Sequence, residues 1–427
     1  MRVVLCMNAG SSSVKYSIYK YAPPIDGKLP MLLVTGAIAG LTSPKQYLTY
    51  KSFNLNGDGG ILSFANHMEL DCPDHDTAFK LILEHLLHRA PEKKVIDSVD
   101  DIYAVCHRIV HGGANPRPLV ITKAVYSELD MLSDLAPLHN QRALDIVHSC
   151  LSRLANTKNV AFFDSSFHTS IPRHIYTYPI SLEVQERHQL KKYGFHGLSY
   201  EFITQQSAAY LDIAENELNA IALHLGSGAS ACAIQNGHSL NTSMGLTPLE
   251  GLPGATRSGS VDPSLIFHYH SDSSRMSTAM SRDVHLTFAE DILNRQSGWF
   301  SITGTTDFGE ITKKALEEND ELCKLAFDIF ANRVSMYIGQ YWVALQGKAS
   351  ALVFAGGIGE NGKELRSAVV QEVNCLGFEI DEKRNAAVLK SPDIVNEISP
   401  EGSKLKVLVV RTDEQVQMAN HVIRKGV

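Results

Sequence analysis

Apolar and polar positions fall into short blocks along this chain, and the first block carries the most information. Arg2-Val3-Val4-Leu5-Cys6-Met7 is an apolar, strand-like run. The small polar turn Asn8-Ala9-Gly10-Ser11-Ser12-Ser13 follows, then a second strand-like run, Val14-Lys15-Tyr16-Ser17-Ile18-Tyr19. A strand, a Gly/Ser turn and a returning strand gather backbone N–H groups and hydroxyls at one tip, a nest of donors suited to a phosphate. Because the run begins at residue 2, no room is expected for a cleaved presequence. The same plan recurs at Ala220-Ile221-Ala222-Leu223-His224-Leu225, which turns through Gly226-Ser227-Gly228-Ala229-Ser230 into Ala231-Cys232-Ala233-Ile234. His224 and Gly226 repeat the spacing of Asn8 and Gly10. Two copies suggest duplicated domains with phosphate-grasping hairpins converging on a cleft; two ordinary hairpin turns would leave the same pattern.

A third block, Ala351-Leu352-Val353-Phe354, predicts a buried strand running into Ala355-Gly356-Gly357-Ile358-Gly359-Glu360-Asn361, with a helix over 363–373. Glycines between a strand and a helix let a nucleotide approach the backbone closely. No Walker A sequence is present, and Gly-rich turns of this kind also occur where nothing binds. Apolar positions at helical spacing predict a further helix over 322–341. Strands alternating with helices argue for α/β or mixed layering. Residues 21–30 and 271–282 are polar or turn-rich and are predicted to be surface insertions.

Composition narrows the class. At 427 residues the chain exceeds one ordinary core, so two domains are expected. Hydrophobic content of 44% with 20% charged residues describes a soluble globular protein, and a net charge of -7 argues against a nucleic-acid surface. No apolar run approaches the roughly 18–20 residues of a membrane span. The seven cysteines are dispersed, with no C-x-x-C pair, which reads as reduced thiols in the cytoplasm.

Several side chains stand where chemistry would need them. Arg108 precedes the Gly112-Gly113 turn, and Arg257 lies in the small-residue loop Gly254-Ala255-Thr256-Arg257-Ser258-Gly259. Guanidinium groups in such loops suit carboxylate and phosphoryl oxygens; either could equally brace its loop against a carboxylate. Strand-like runs end in Asp164 and in Thr412-Asp413-Glu414. Acids so placed suit Mg²⁺, although a strand-terminal Asp also serves as a turn or helix cap. His139 and His196 are predicted in tight turns, and no zinc-type histidine spacing occurs.

Taken together, segments at 8–13, 107–113, 136–140, 160–168, 193–197, 224–230, 242–262, 356–361 and 412–414 resemble the acetate kinase family, in family order over nearly the whole chain. The resemblance implies an α/β protein of duplicated actin-like ATPase (ribonuclease H-like) domains around a central cleft. One domain would span 1–165 plus 415–427 and the other 166–414. It implies a homodimer that moves the γ-phosphoryl of ATP to acetate and back, giving acetyl phosphate and ADP, with Mg²⁺ as cofactor and Mn²⁺ able to substitute. No nucleic acid or membrane partner is implied.

Matched positions imply the roles. Arg108 and Arg257 would flank acetate and the transferring group, and His196 would donate to its equatorial oxygens, with His139 and Asp164 also catalytic. Val110, Leu138, Phe195 and Pro248 would wall a pocket for the methyl. Asn8, Ser11, Ser13 and Lys15 would form the first phosphate hairpin. His224, Gly226, Ser227, Gly228, Asp307, Phe308, Gly309, Gly356, Gly357, Ile358, Gly359, Glu360 and Asn361 would hold the nucleotide, and Asn8, Asp164 and Glu414 the metal. Four positions depart from the usual pattern: Tyr200 replaces a second His, Ser227 an Asn, Gln415 a Glu, and Gly309 an Arg beside the adenine. The last leaves a pyrophosphate or phosphate donor open. A longer acyl acceptor such as propionate or butyrate, and a non-catalytic actin- or chaperone-like nucleotide switch, also stay open.

Overall fold

The computed structural model describes residues 2–10, 12–22, 29–41, 43–53, 60–88, 95–132, 137–269 and 287–426, with backbone alone at 62, 88, 137–139 and 425. Ser11, most of the insertion at 21–30 and all of that at 271–282 lie outside the described residues. The chain divides into two compact units: unit 1 is Met1–Ser166 with Asp413–Val427, and unit 2 is Phe167–Thr412.

Unit 1 is built on β1 (Val3–Ala9), β2 (Ser13–Lys20), β3 (Leu32–Ala39), β4 (Gln46–Phe53), β5 (Ile61–Leu70), β6 (Ile102–Ile109), β7 (Leu119–Val120) and β8 (Lys158–Phe163). They form one sheet in the order β5-β4-β3-β2-β1-β6-β8-β7. Unit 2 holds β9 (Ala220–Leu225), β10 (Ala229–Gln235), β11 (His238–Thr242), β12 (Ala351–Ala355), β13 (Val395–Glu397) and β14 (Lys406–Val410), in the order β11-β10-β9-β12-β14-β13. The duplication read from the hairpins is visible in the strand order. In each unit a three-stranded antiparallel meander, extended in unit 1 by β4 and β5, is joined through its first strand to two parallel strands. A short antiparallel strand closes that edge. The protein is thus an α/β chain of duplicated actin-like domains.

The central strands read as unbroken apolar runs because helices cover both faces of a parallel sheet. Val3, Val4, Leu5 and Cys6 are buried, as are Val160 to Phe163 and Leu352 to Phe354. Each unit packs a helix of its own on its sheet. Helix Gly197–Tyr210, which comes after β8 in the chain, packs on β9, β13 and β14 of unit 2. Helix Glu414–Lys425, which follows β14, packs on β1, β2 and β6 of unit 1.

The predicted helices over 322–341 and 363–373 appear as Glu321–Ala344 and Lys363–Glu372. Two local expectations are corrected. The glycine motif at 356–361 is itself a short helix, Gly356–Asn361, rather than an open turn. His139 lies in the first turn of helix Pro137–Arg153, not in a tight turn. Proline is favoured at a first helical position, where its missing N–H has no partner to lose.

The loop after β6 crosses close over the end of β8. A Cβ on Gly112 would lie 2.2 Å from Phe163 Cγ, and Gly113 has φ +59°. We expect Gly112→Ala to cost about 1–3 kcal/mol through overpacking. Phe163→Ala, which removes the ring and its Cγ, should shrink the Gly112→Ala loss, so a double-mutant cycle in urea will show coupling; strictly additive losses would refute the contact.

Candidate active site

The parallel strands of unit 1 end side by side, near Asn8, Arg108 and Asp164. On the neighbouring strands β1 and β6, Met7 pairs with His107, so Asn8 and Arg108 follow at adjacent strand ends. Arg108 forms a two-pronged pair with Asp164, just beyond β8: Nε donates to Oδ1 at 3.0 Å and Nη2 to Oδ2 at 2.7 Å. Its third arm, Nη1, meets Glu414 Oε2 at 2.9 Å. Planar guanidinium and carboxylate groups match in this geometry, which strengthens both bonds. Burial opposes the charge on Arg108, but Asp164 and then Glu414 outweigh it and hold the guanidinium protonated well above its usual range. One residue earlier, burial pushes His107 down to about 4 despite its 2.9 Å hydrogen bond to Asn159 Oδ1, so it is neutral at pH 7.

The turns around this cluster are pinned. Asn140 Oδ1 accepts from the His111 N–H at 3.0 Å while its Nδ2 donates to the His111 carbonyl at 2.9 Å. In the first hairpin, Gly10 N–H donates to the Ser13 carbonyl at 2.8 Å, and buried His75 donates through Nε2 to the Gly10 carbonyl at 2.9 Å. Asp413 caps helix Glu414–Lys425 by accepting from the N–H groups of Gln415 and Val416, both at 2.9 Å. That cap aims Glu414 at Arg108.

In unit 2 the hairpin between β9 and β10 gathers a second set. A Cβ on Gly228 would lie 3.0 Å from Arg257 Nη1 and 3.8 Å from His196 Nε2. Arg257 is brought there because Ala255 N–H donates to the Ser227 carbonyl at 2.8 Å, docking its loop on the hairpin. His196, at φ 60°, is the residue from which helix Gly197–Tyr210 starts. Its Nδ1 lies 2.8 Å from Ser230 Oγ, and its ring stacks on His224 at 4.1 Å. Nearby, burial pushes His168 down to about 4, and its Nε2 donates to the Phe195 carbonyl at 2.9 Å.

Beside the same hairpin lies a pocket of about 740 Å³, lined by Gly226, Ser227, Asp307, Phe308, Gly309, Gly357, Ile358 and Asn361 among others. Phe308 forms one wall from an aromatic cluster with Trp299 and Phe330, while Asp307 caps helix Phe308–Glu317 through Gly309 N–H at 2.8 Å. Gly309 is exposed, and a Cβ there would meet Asp307 Oδ1 alone, at 3.1 Å.

The sequence profile of the acetokinase family matches residues 3–420. The chain belongs to the acetokinase family. A probable acetate kinase of Neurospora crassa is 47% identical over 454 aligned residues, which span 100% of this chain and 94% of that one. Among solved structures, a Porphyromonas gingivalis acetate kinase superposes with TM-score 0.81 at 32% identity, covering 98% of both chains. A Francisella tularensis propionate kinase does so with TM-score 0.82 at 31% identity and the same coverage.

Against this acetokinase frame the expected site residues sort by unit. Arg108, Asp164 and Glu414 are brought together in unit 1, and Asn8 ends the adjoining strand. Lys15 is exposed on β2, opposite Asn8 in register, and Ser13 begins that strand. Val110 is half-buried in unit 1, while Phe195 and Pro248 are buried in unit 2. The side chains of Leu138 and His139 lie outside the described residues. Of the glycine motif, Gly356, Gly359 and Glu360 do not line the pocket. Gly356, at φ +75°, presses on the Leu225 backbone, and Glu360 Oε1 accepts from the N–H groups of Gly356 and Thr412, both at 3.1 Å.

Sequence reasoning missed several contributors, Lys313, Glu317 and Arg366 among them. Lys313 and Glu317 also line the pocket, and their four-residue spacing from Gly309 placed all three on one helix face. Arg366, fully buried, donates from Nη1 to the carbonyls of Gly359 and Glu360 at 2.7 and 2.8 Å and from Nε to Asn385 Oδ1 at 2.7 Å. Burial pushes it down to about 10, still charged at pH 7. Its signal was an arginine among Leu365, Val369 and Val370 on the apolar stripe of a helix.

Removing Arg108 leaves Asp164, 1% exposed, without its cation. Arg108→Met should therefore lower stability by about 3–5 kcal/mol at neutral pH. In the variant the Asp164 carboxyl is raised above its unfolded value, so it destabilises when ionised, and the deficit should shrink as pH falls through that range. Urea midpoints at pH 7 and pH 5 will read this; a deficit that ignores pH would contradict it.

Proposed function

We propose that the chain catalyses reversible transfer of the γ-phosphoryl group of ATP to acetate, giving acetyl phosphate and ADP, by direct in-line displacement. The observation that carries this reading is the gathering of Arg257 and His196 at Gly228 of the second hairpin, beside the pocket. Acetate needs no general base, because a carboxyl group with a pKa near ~4 is already ionised at pH 7. Catalysis then reduces to positioning and to neutralising charge on the transferring group. Arg257 and His196 supply donors in unit 2, and the pocket takes the nucleoside. In unit 1, Arg108 supplies a further guanidinium for acceptor and phosphoryl oxygens.

Among the described residues no group of three or more His, Cys, Asp or Glu side chains could hold a metal by itself. The oxygen donors that are present still fit Mg²⁺. Asp164 and Glu414 outweigh Arg108 by one negative charge, and Glu414 Oε1 has no hydrogen-bond partner among the described residues. Mg²⁺ keeps waters and shares substrate phosphates rather than requiring a protein cage. We assign Asp164, Glu414 and Asn8 to hold it; when bound it neutralises phosphate charge.

A second acceptor class is favoured by one finding, the superposition on a propionate kinase. We place the enzyme in the cytoplasm as a homodimer. In support of that compartment, all seven cysteines are free, and no helix among the described residues is long and apolar enough to cross a membrane.

Hydroxamate trapping of acyl phosphate, with formate through butyrate as acceptors and ATP, GTP or pyrophosphate as donors, tests the reading. Acetate with ATP should give the highest kcat/KM; no acyl phosphate from any pair would overturn it. Arg257→Ala should lose roughly 10³–10⁵ in kcat, about 4–7 kcal/mol, while staying folded, and near-normal turnover would remove its role. Gly309→Arg, for which the pocket has room, should lower KM for ATP with little change in KM for acetate; an unchanged or raised value would show that the base does not sit against this helix.

A further inference from the structure

Tyr200 is fully buried in helix Gly197–Tyr210, and its hydroxyl lies 2.6 Å from Ser230 Oγ. Ser230 Oγ in turn lies 2.8 Å from His196 Nδ1. The direction of the protons along this chain follows from counting them. A phenol has one proton, and a buried hydroxyl must give it to an acceptor or forfeit a hydrogen bond. Ser230 is the one side chain among the described residues within hydrogen-bond distance of that phenol. Ser230 Oγ is then the acceptor. Having accepted from Tyr200, the serine has its own single proton to place, and His196 Nδ1 receives it. Run in the opposite direction, the chain would leave the phenolic O–H buried with no side chain among the described residues to accept it. An imidazole that accepts at Nδ1 carries its proton on Nε2 when neutral. Nε2 is the atom turned toward Gly228, where Arg257 also arrives.

We propose that Tyr200 and Ser230 are positioning residues that order protons so that neutral His196 presents Nε2–H as a hydrogen-bond donor at the second phosphate hairpin. The consequence for transfer rests on the reading of His196 given under Proposed function; the proton order itself does not. The His224 stack acts in the same sense. Two imidazolium rings 4.1 Å apart repel, so the pair resists double protonation. His224 has a separate tether, with Nδ1 2.8 Å from Ser199 Oγ, which lies 2.8 Å from Thr412 Oγ1. Each ring of the stack is thus oriented by its own hydroxyl pair. The tyrosine at this position thereby acquires a function as the source of a proton sequence that ends on the phosphoryl-facing nitrogen.

The experiment uses the full-length protein labelled with ¹⁵N-histidine, read by long-range ¹H–¹⁵N correlation, with His196→Gln to assign the resonance. Wild type should show His196 in the Nε2–H form without any substrate present. Ser230→Ala should shift it toward Nδ1–H or an exchanging mixture, and Ser230→Thr, which keeps the hydroxyl, should restore it. Tyr200→Phe leaves the serine free to turn and should give a partial shift; it also serves if Ser230→Ala fails to fold. In the acyl phosphate assay kcat should fall about 10²-fold in Ser230→Ala, the scale of losing one donor to a developing oxyanion, with both KM values within about twofold. A wild-type His196 protonated on Nδ1, or a tautomer unmoved by Ser230→Ala, overturns the proposal. A tautomer that moves while kcat does not upholds the proton order and instead overturns His196 as a donor to the phosphoryl group.

Discussion

One buried cation closes unit 1. Arg108 enters from β6 in the first third of the chain, Asp164 from the end of β8, and Glu414 from a helix that begins only thirteen residues before the C-terminus. The guanidinium has five N–H donors, and these two carboxylates meet one on each of its three nitrogens. A buried ion pair with one partner missing costs several kcal/mol, so unit 1 cannot hold either acid in place without the arginine, or the arginine without the acids. The helix bearing Glu414 is fixed by more than charge. Asp413 caps it, Gln415 hydrogen-bonds Ser17 on β2, and Val416, Met418, Ala419 and Val422 are buried along its length. The first unit to be synthesised is therefore the last to be completed, because its sheet waits for a helix encoded at the far end of the chain.

That dependence explains which parts of the molecule were legible in the sequence. The two hairpins, the strand before the glycine motif and the two long helices were readable because each carries its periodicity within a few residues. The Arg108 cluster was readable as separate markers. Nothing local, however, says that an arginine at 108 meets a glutamate at 414, since such pairing is a property of sheet order and of a C-terminal helix packing on the first sheet. Arg366 was missed for a related reason: it is held by the carbonyls of Gly359 and Glu360 and forms no salt bridge among the described residues to betray it. Tyr200 was noticed only as an unusual residue, and its bond to Ser230 crosses from a helix to a strand. β4 alternates buried and more exposed positions, as a half-exposed antiparallel strand should, yet without chemistry in it the strand drew no attention.

The two units share a strand order and differ in what stands at the ends of the equivalent strands. In unit 1 the fourth and fifth core strands, β6 and β8, end in Arg108 and Asp164, joined side chain to side chain. In unit 2 their counterparts, β12 and β14, end at Gly356 and Thr412. There too a carboxylate spans the gap, but Glu360 reaches the backbone N–H of each rather than a cation. The mechanical task, tying two strand ends together, is the same in both copies. The consequence is opposite. Side chains at the strand ends fill unit 1 with charge, whereas glycine and main chain at the same places leave unit 2 with volume, and its pocket lies between that glycine motif, the second hairpin and the helix Phe308–Glu317. Unit 2 must then import its charged groups from elsewhere: His196 from the start of a helix and Arg257 from a loop docked on Ser227. Imported groups lack a sheet to orient them, which is why His196 depends on Ser230 and on the His224 ring, while Arg108 needs only its two acids. Duplication supplied one scaffold twice, and the division between charge and space follows from which copy kept side chains at its strand ends.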